Sequence, residues 1–338
     1  MKIAVLGLGF MGSTHLSAWR QIPGAQLVAV ASNDTQRLSG DFTAVQGNLG
    51  GAGEKLDFTA VAKYTRAEDA ACDPNVDIVD ICLPTNLHES IATLAMRCGK
   101  HVLVEKPMAL DGAAADRMIA EAERHNRTLM AAQVVRFIPP YRLAADILRS
   151  GRLGPVRSAI LRRRCAAPAW SAWLGDPEQS GGGILDLLIH DVDFCVHAFG
   201  KPEAVTASGY QDLSRGVDWI LAQFWYPAIG TVAITGGWHH PAAYPFSMEF
   251  TIVADSGTLE FNSAGRPLAE YGADGLPHAL EVPETDGYRA EIEYFYECVT
   301  HGQKPLLCRP EESAMAVKLT HLMLESRTRN GEKIPCNC

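Results

Sequence analysis

Three short stretches hold residues whose types and spacing could do chemistry. The first, GLGFMG, sets Gly7, Gly9 and Gly12 at the G-x-G-x-x-G spacing, after an apolar run and before a helical one. In that context the first glycine allows a tight turn, and the second lets backbone approach a pyrophosphate. The third lets the helix pack close, with its N-terminus facing the phosphates. The second stretch, HVLVEKPMAL (101–110), ends an apolar run with Glu105, Lys106 and Pro107 in a row. A charged pair there is costly to bury without partners. At the carboxyl edge of a parallel sheet, where ligands bind, Lys106 would emerge near a nicotinamide. A partly desolvated lysine can give or take a proton near neutral pH. Glu105 would offset its charge, and Pro107 would fix the turn, with a cis bond open to it. The plain alternative is a salt-bridged strand end.

The third stretch is SGGGILDLLIHDVDF (180–194), in which three glycines open a helix. Asp186 and His190 are four apart and share a helix face; Asp193, three further on, faces roughly the same way. A carboxylate beside an imidazole suits proton handling at a substrate hydroxyl. It suits a metal less well, because ligands from one helix need a further His or Cys nearby. An ordinary glycine-capped amphipathic helix is the alternative.

These residues need elements to position them. Up to about residue 135, short apolar runs alternate with helical stretches: strands at 2–8, 25–32, 77–84, 101–106 and 129–135, helices at 12–22, 88–99 and 113–126. Such alternation is the pattern of a parallel sheet covered on both faces. Residues 46–64 hold four glycines and no clear period, and read as a surface insertion. Beyond 135 come a helix at 141–151, a strand from 155, successive strands with Gly, Pro and Asp turns, and closing helices at 288–302 and 311–331. Runs of strands without helices between them predict a mostly antiparallel sheet. The expected organisation is a doubly wound dinucleotide-binding domain, 1–135, and an α+β domain, 136–338, with a large open sheet for substrate and oligomerisation.

The second expected strand ends Ala31-Ser32-Asn33-Asp34. Ser32 and Asn33 stand where an acid for the adenosine ribose is expected, so nothing at the strand tip repels a 2′-phosphate, and Arg37 is near enough to pair with one. The cofactor is therefore expected to be NADP or NAD, leaning to NADP; Asp34 could still serve NAD.

Of the 338 residues, 47% are hydrophobic and 20% charged, which is ordinary for a globular protein with sizeable cores. The length makes two domains the prior. A net charge of −9 argues against nucleic acid as the main partner. No apolar stretch is long enough to suggest a membrane span, and residues 1–9 read as a first strand rather than a leader. Nine cysteines, an odd number spread through apolar segments, read as reduced thiols and a cytoplasmic location. Cys336 and Cys338 have no second pair at metal-ligand spacing, so no metal is expected.

The order GLGFMG, EKP and GGGxLxDxxxH resembles the Gfo/Idh/MocA oxidoreductases, and the resemblance runs through nearly the whole chain. DIVDICLPTNLHESIATLAMRCGKHVLVEKPMAL looks like the family's stretch into its lysine, and RFIPPYRLAADILRSGRLGPV like its crossover into the second domain. The resemblance implies a Rossmann domain followed by an α/β domain whose open antiparallel sheet often forms the oligomer interface, here a homodimer or homotetramer. It implies oxidation or reduction of a sugar, polyol or related cyclic alcohol. Lys106, Asp186 and His190 match its catalytic residues. Cofactor contact is expected at Gly7, Gly9, Phe10, Met11, Gly12, Ser32, Asn33, Arg37, Leu83, Pro84, Thr85, His88, Glu105 and Lys106. Arg136 and Phe137 match a pocket-lining pair. Trp170 and Trp173 could stack on a sugar ring, and His239, with His240, could line the pocket. Ser32 in place of the acid and the 46–64 insertion depart from the pattern.

Hydride would leave the carbinol carbon for the nicotinamide while His190 or Lys106 takes the hydroxyl proton. Two other readings stand beside this one. One is a redox-neutral glycosidase or lyase that oxidises a sugar transiently with tightly held NAD. The other is a nucleotide-sensing regulator, for which keeping Lys106, Asp186 and His190 together has no use.

Overall fold

The computed structural model describes residues 1–47, 53–168 and 171–337. Trp170, Cys338 and part of the 46–64 segment lie outside the described residues. In chain order the elements begin β1 Lys2–Leu6, α1 Phe10–Trp19, β2 Gln26–Ala31, α2 Thr35–Leu38, β3 Ala62–Tyr64, α3 Ala67–Ala71, β4 Ile78–Ile81, α4 His88–Arg97, β5 His101–Glu105, α5 Gly112–Arg124 and β6 Leu129–Ala132. They continue α6 Pro139–Ser150, β7 Val156–Cys165, α7 Pro177–Ser180, α8 Ile189–Phe199, β8 Ala204–Asp212, β9 Val217–Trp225, β10 Thr231–Trp238, β11 Ser247–Ala254, β12 Gly257–Asn262, β13 Arg266–Gly272 and β14 Pro277–Ala279. They end with α9 Gly287–Thr300, α10 Pro310–Thr328 and β15 Ile334–Pro335.

The chain divides into two compact units, Met1–Val134 with Asp286–Ala314, and Val135–Thr285 with Met315–Cys338. The segment 286–314, assigned to the second domain on sequence, packs with the first unit.

The first unit is built on a six-stranded sheet, order β3-β2-β1-β4-β5-β6, with every pair parallel. Ile3–Leu6, Ile78–Ile81 and Leu129–Ala132 are buried throughout, as a sheet covered on both faces requires. Strand order reverses between β1 and β4, which is where a doubly wound sheet opens a crevice for ligands at its carboxyl ends. The chain's glycine motif leaves β1 at that point, and Lys106 follows β5 two strands away. The 46–64 segment is not simply a surface insertion. Its end supplies β3, paired with β2, and Leu56 and Phe58 are buried. A three-residue edge strand is too short to show a period.

The expectation of reduced thiols fails at one pair: Cys72 and Cys98 form a disulfide, with Cα atoms 5.3 Å apart. Each is the C-cap of its helix, α3 and α4, and the helix packing brings the two caps together.

The second unit carries a nine-stranded sheet, order β14-β13-β12-β11-β7-β10-β9-β8-β15. Only β7 and β10 pair in parallel; the rest are antiparallel. Tyr141 of α6 sits edge-on to Phe194, Phe250 and Phe261, fastening helices to one face. The opposite face leaves Ile160, Leu221, Trp225, Val253 and Tyr271 exposed. No described helix is long and apolar enough to cross a membrane.

Candidate functional site

The turn after β1 is shaped by sterics. Gly7 has φ +90°, and a Cβ there would meet the Cys82 carbonyl oxygen at 2.4 Å. A Cβ on Gly12 would meet the Gly7 carbonyl oxygen at 1.9 Å. A Cβ on Gly9 would meet nothing within 4 Å. Helix α1 therefore packs against its own turn on one side and opens to free space at its N-cap, Gly9, which makes no side-chain cap. Uncapped N–H groups beside open space are what a pyrophosphate needs, so the residues fit a dinucleotide. Phe10 and Met11, the first residues of α1, are half-buried.

At the tip of β2 the polar groups are already engaged. Ser32 Oγ accepts the Asp34 N–H at 3.1 Å. Asp34 caps α2, accepting from the N–H groups of Gln36 and Arg37, and its second oxygen lies 3.1 Å from Arg37 Nε. Asn33 is exposed. A ribose 2′-phosphate would compete with Asp34 for Arg37, and a 2′-hydroxyl would compete for Asp34.

The loop after β4 runs through half-buried Leu83 and Pro84 to buried Thr85 and His88. His88, an expected cofactor contact, has both ring nitrogens against backbone carbonyls. Nδ1 lies 2.9 Å from the Pro107 carbonyl oxygen and Nε2 2.8 Å from that of Leu83. Burial pushes the ring below the usual histidine range, against the pull of these carbonyls. His88 thus staples this loop to the Lys106–Pro107 turn, whose peptide bond is cis.

Lys106 is half-buried. Glu105, expected to face the cofactor and offset the lysine, turns into the interior at 5% exposure. One carboxylate oxygen accepts the Lys106 backbone N–H at 2.9 Å, and the other lies 3.1 Å from His15 Nε2. His15 in turn places Nδ1 2.9 and 3.1 Å from the two oxygens of Asp80, which also accepts from Trp19 Nε1 at 2.7 Å. His15 and Asp80 were missed on sequence. Asp80 carried the signal: a carboxylate inside the all-buried strand IVDI requires a partner. Ligating atoms of His15, Asp80 and Cys82 lie within 4.8 Å of one another, but the imidazole already faces Asp80 and Glu105.

In the second unit the triple glycine has a local cause. Gly181 and Gly182 have φ +78° and +88°, and a Cβ on Gly183 would strike the Trp238 ring at 2.6 Å. Asp218 accepts the Ile184 N–H and receives Arg327 on its other oxygen. Residues Ile184–Leu188 then form one wide π turn before α8. From Gly182 to His190, Asp186 and His190 alone are less than fully buried. π turns recur at functional sites.

Asp193 does not join them. It is fully buried and bound through both oxygens by Arg136 Nε and Nη2, each at 2.7 Å. Arg136, expected to line a pocket, is 1% exposed, and Phe137 is buried beside it; both are core side chains here. A second buried pair joins Asp191 to Arg163 at 2.7 and 3.2 Å. Two arginines thus anchor the first turn of α8, just after His190. Arg163 was legible in part, since it alternates inward with Leu161 and Cys165 along β7.

Trp173 is half-buried in a short turn over Ala172–Gly175. His239 is exposed and meets the Tyr210 hydroxyl at 2.9 Å, while His240 stacks on Tyr244 with ring centres 3.9 Å apart.

Comparison with known proteins agrees with this architecture. Residues 1–133 match the family model of the oxidoreductase family with an NAD-binding Rossmann fold, Gfo/Idh/MocA, and residues 141–260 match a C-terminal domain of the same family. The chain belongs to the Gfo/Idh/MocA oxidoreductases. A myo-inositol 2-dehydrogenase of Thermotoga maritima is 25% identical over 342 residues, covering 96% of each chain. A D-xylose 1-dehydrogenase (NADP+) of Haloferax volcanii is 28% identical over 330 residues, covering 96% of this chain and 97% of that one. The crystal structure of an aldose-aldose oxidoreductase from Caulobacter crescentus, complexed with glycerol, aligns with a TM-score of 0.83 at 22% identity, covering 99% of each chain. At that identity the structural likeness speaks for the fold alone.

Proposed function

We propose that the protein interconverts an alcohol and a carbonyl on a sugar, polyol or related cyclic alcohol, with NADP or NAD as hydride partner. The observation that carries this reading is the first unit's carboxyl edge. Open space at Gly9 and an uncapped helix end stand at the strand-order switch, and Lys106 leaves β5 half-buried along the same edge. Family membership supports oxidoreduction. The inositol and xylose activities named for two relatives that span nearly their full length support the substrate class.

When bound, the nicotinamide accepts the hydride from the carbinol carbon. Lys106 and His190 handle the hydroxyl proton, and the ammonium steadies developing negative charge on the oxygen. Asp186, less than fully buried like His190, orients the imidazole. The cofactor leans to NADP, because Ser32 leaves no acid at the strand tip and Arg37 follows closely enough in sequence to pair with a 2′-phosphate. The exposed apolar face of the nine-stranded sheet is the proposed contact of a homodimer or homotetramer, which sedimentation of the purified protein tests.

The test of the function is calorimetric titration of nucleotide-free protein with NADP and NAD, followed by a sugar and polyol panel read by nicotinamide absorbance. Tighter NADP binding and net reduction of the nucleotide by at least one polyol or sugar support the reading. Tighter NAD binding overturns the lean and brings Asp34 forward. Nucleotide that cannot be removed, with no net redox change on any sugar, replaces the reading by a redox-neutral elimination.

A further inference from the structure

Lys106 is held by a chain of buried groups that begins on β4, the strand next to the lysine's own. Asp80 of β4 faces His15 of α1, His15 faces Glu105 at the end of β5, and Glu105 accepts the Lys106 backbone N–H. His15 and Asp80 are 0% exposed, so each depends on its buried partners. One residue further on, the Pro107 carbonyl is met by His88. The turn that presents the lysine is therefore pinned on both sides, by Glu105 and by His88.

We propose that His15 is a positioning residue for Lys106: clamped between Asp80 and Glu105, its imidazole holds the carboxylate that fixes the lysine's backbone, and so ties the phosphate-facing helix to the lysine strand. The proposal rests on the reading of Lys106 given above.

The charges around His15 agree with the geometry. Burial alone would lower its basicity, but Asp80, then Cys82, outweigh burial and hold the ring well above the usual histidine range. Burial likewise works against the Glu105 carboxylate, and His15, with Nε2 3.1 Å away, outweighs it and holds that group low. From α9, Glu291 and Tyr288 face the same volume; burial pushes both upward, so both stay neutral and add no charge. From α1 itself Trp19 adds a neutral donor to Asp80, and beyond β4 Cys82 places its sulfur 3.4 Å from His15 Nδ1. An imidazolium between two carboxylates is the arrangement that results.

A purely structural ion pair and a positioning group differ in one respect. His15→Gln alone strands two carboxylates and destabilises the protein. The double variant His15→Gln with Asp80→Asn removes one positive and one negative charge together. A structural role predicts that stability and lysine behaviour recover together. A positioning role predicts that thermal stability recovers in part, because Asp80 no longer carries an unpaired charge, while Glu105 still lacks the cation beside it.

The readout is the acylation rate of Lys106 by acetic anhydride, measured by mass spectrometry relative to exposed Lys63 in the full chain. The proposal predicts that the double variant labels Lys106 at least about threefold faster than the parent, as a loosened turn exposes the amine. In the same variant, turnover of the panel's best substrate falls at least about tenfold with KM within about twofold. Labelling within about 1.5-fold of the parent overturns it. Should the double variant not fold, Glu105→Gln keeps an acceptor for the Lys106 N–H and drops the charge that His15 holds; it predicts the same rise in labelling, and unchanged labelling overturns the proposal equally. Lys106→Ala with parental turnover would instead sink the reading of the lysine as a proton-transfer group, while the labelling result still decides the role of His15.

Discussion

The lysine end of the first unit and the histidine helix of the second solve one problem with different chemistry. On the proposed reading each must hold a proton-handling side chain in a fixed place, and buried carboxylates stand behind both. Behind Lys106 the cation between the carboxylates is His15. Around His190 the cations are Arg136 and Arg163, each gripping one aspartate with two N–H groups. A guanidinium keeps its charge across the whole working range of pH, and an imidazolium does not. The lysine end is therefore the pH-sensitive half of the machinery, and the histidine helix the insensitive half.

The largest effect expected from this contrast is on the arginine side. Arg163→Met leaves Asp191 buried without its cation and should cost about 3–5 kcal/mol of stability, more at about pH 9 than at about pH 6, because burial already pushes Asp191 upward and the unpaired carboxyl is easier to protonate at the lower pH. Urea unfolding at the two pH values checks it; a loss below about 1 kcal/mol would mean that the pair is not an anchor.

Next in size is nucleotide choice. If Arg37 takes a 2′-phosphate, Arg37→Ala should weaken NADP by about tenfold and leave NAD within about twofold. Equal weakening of both nucleotides would remove Arg37 from the discrimination.

The smallest effect sharpens the pH contrast. Glu291 is fully buried with no hydrogen-bond partner at either carboxyl oxygen, and burial holds it protonated well above the usual carboxylate range. The folded state thus keeps a proton that the unfolded chain releases. Stability from this group is present below the unfolded pKa and declines as pH rises towards the folded one. Glu291→Gln cannot ionise, so the variant should gain steadily on the parent as pH rises from about pH 5 to about pH 8. A constant difference across that range would contradict the assignment.

Much of this machinery was legible in the sequence where a local rule decides the backbone. The glycines of GLGFMG, the strand-ending Lys106 and the triple glycine before Asp186 and His190 all sit in the expected elements, because turn sterics and strand edges act over a few residues. What was not legible rests on pairs far apart along the chain. His15 and Asp80 are separated by 65 residues, and Arg136 and Asp193 by 57. Asp193 looked like a partner for His190 by helical spacing, and its true partner comes from before α6. Cys72 and Cys98 became neighbours only when α3 and α4 packed with their C-termini together. The edge strand β3 emerged from a glycine-rich segment too short in pattern to show its period.

The measurement that tests the central claim most directly is turnover by Lys106→Ala beside the parent, with nucleotide affinity taken on the same samples. The account predicts a rate lower by at least about a hundredfold, the low end for loss of a proton-transfer group, with the nucleotide still bound. A variant that binds nucleotide and turns over at near-parental rate would contradict it.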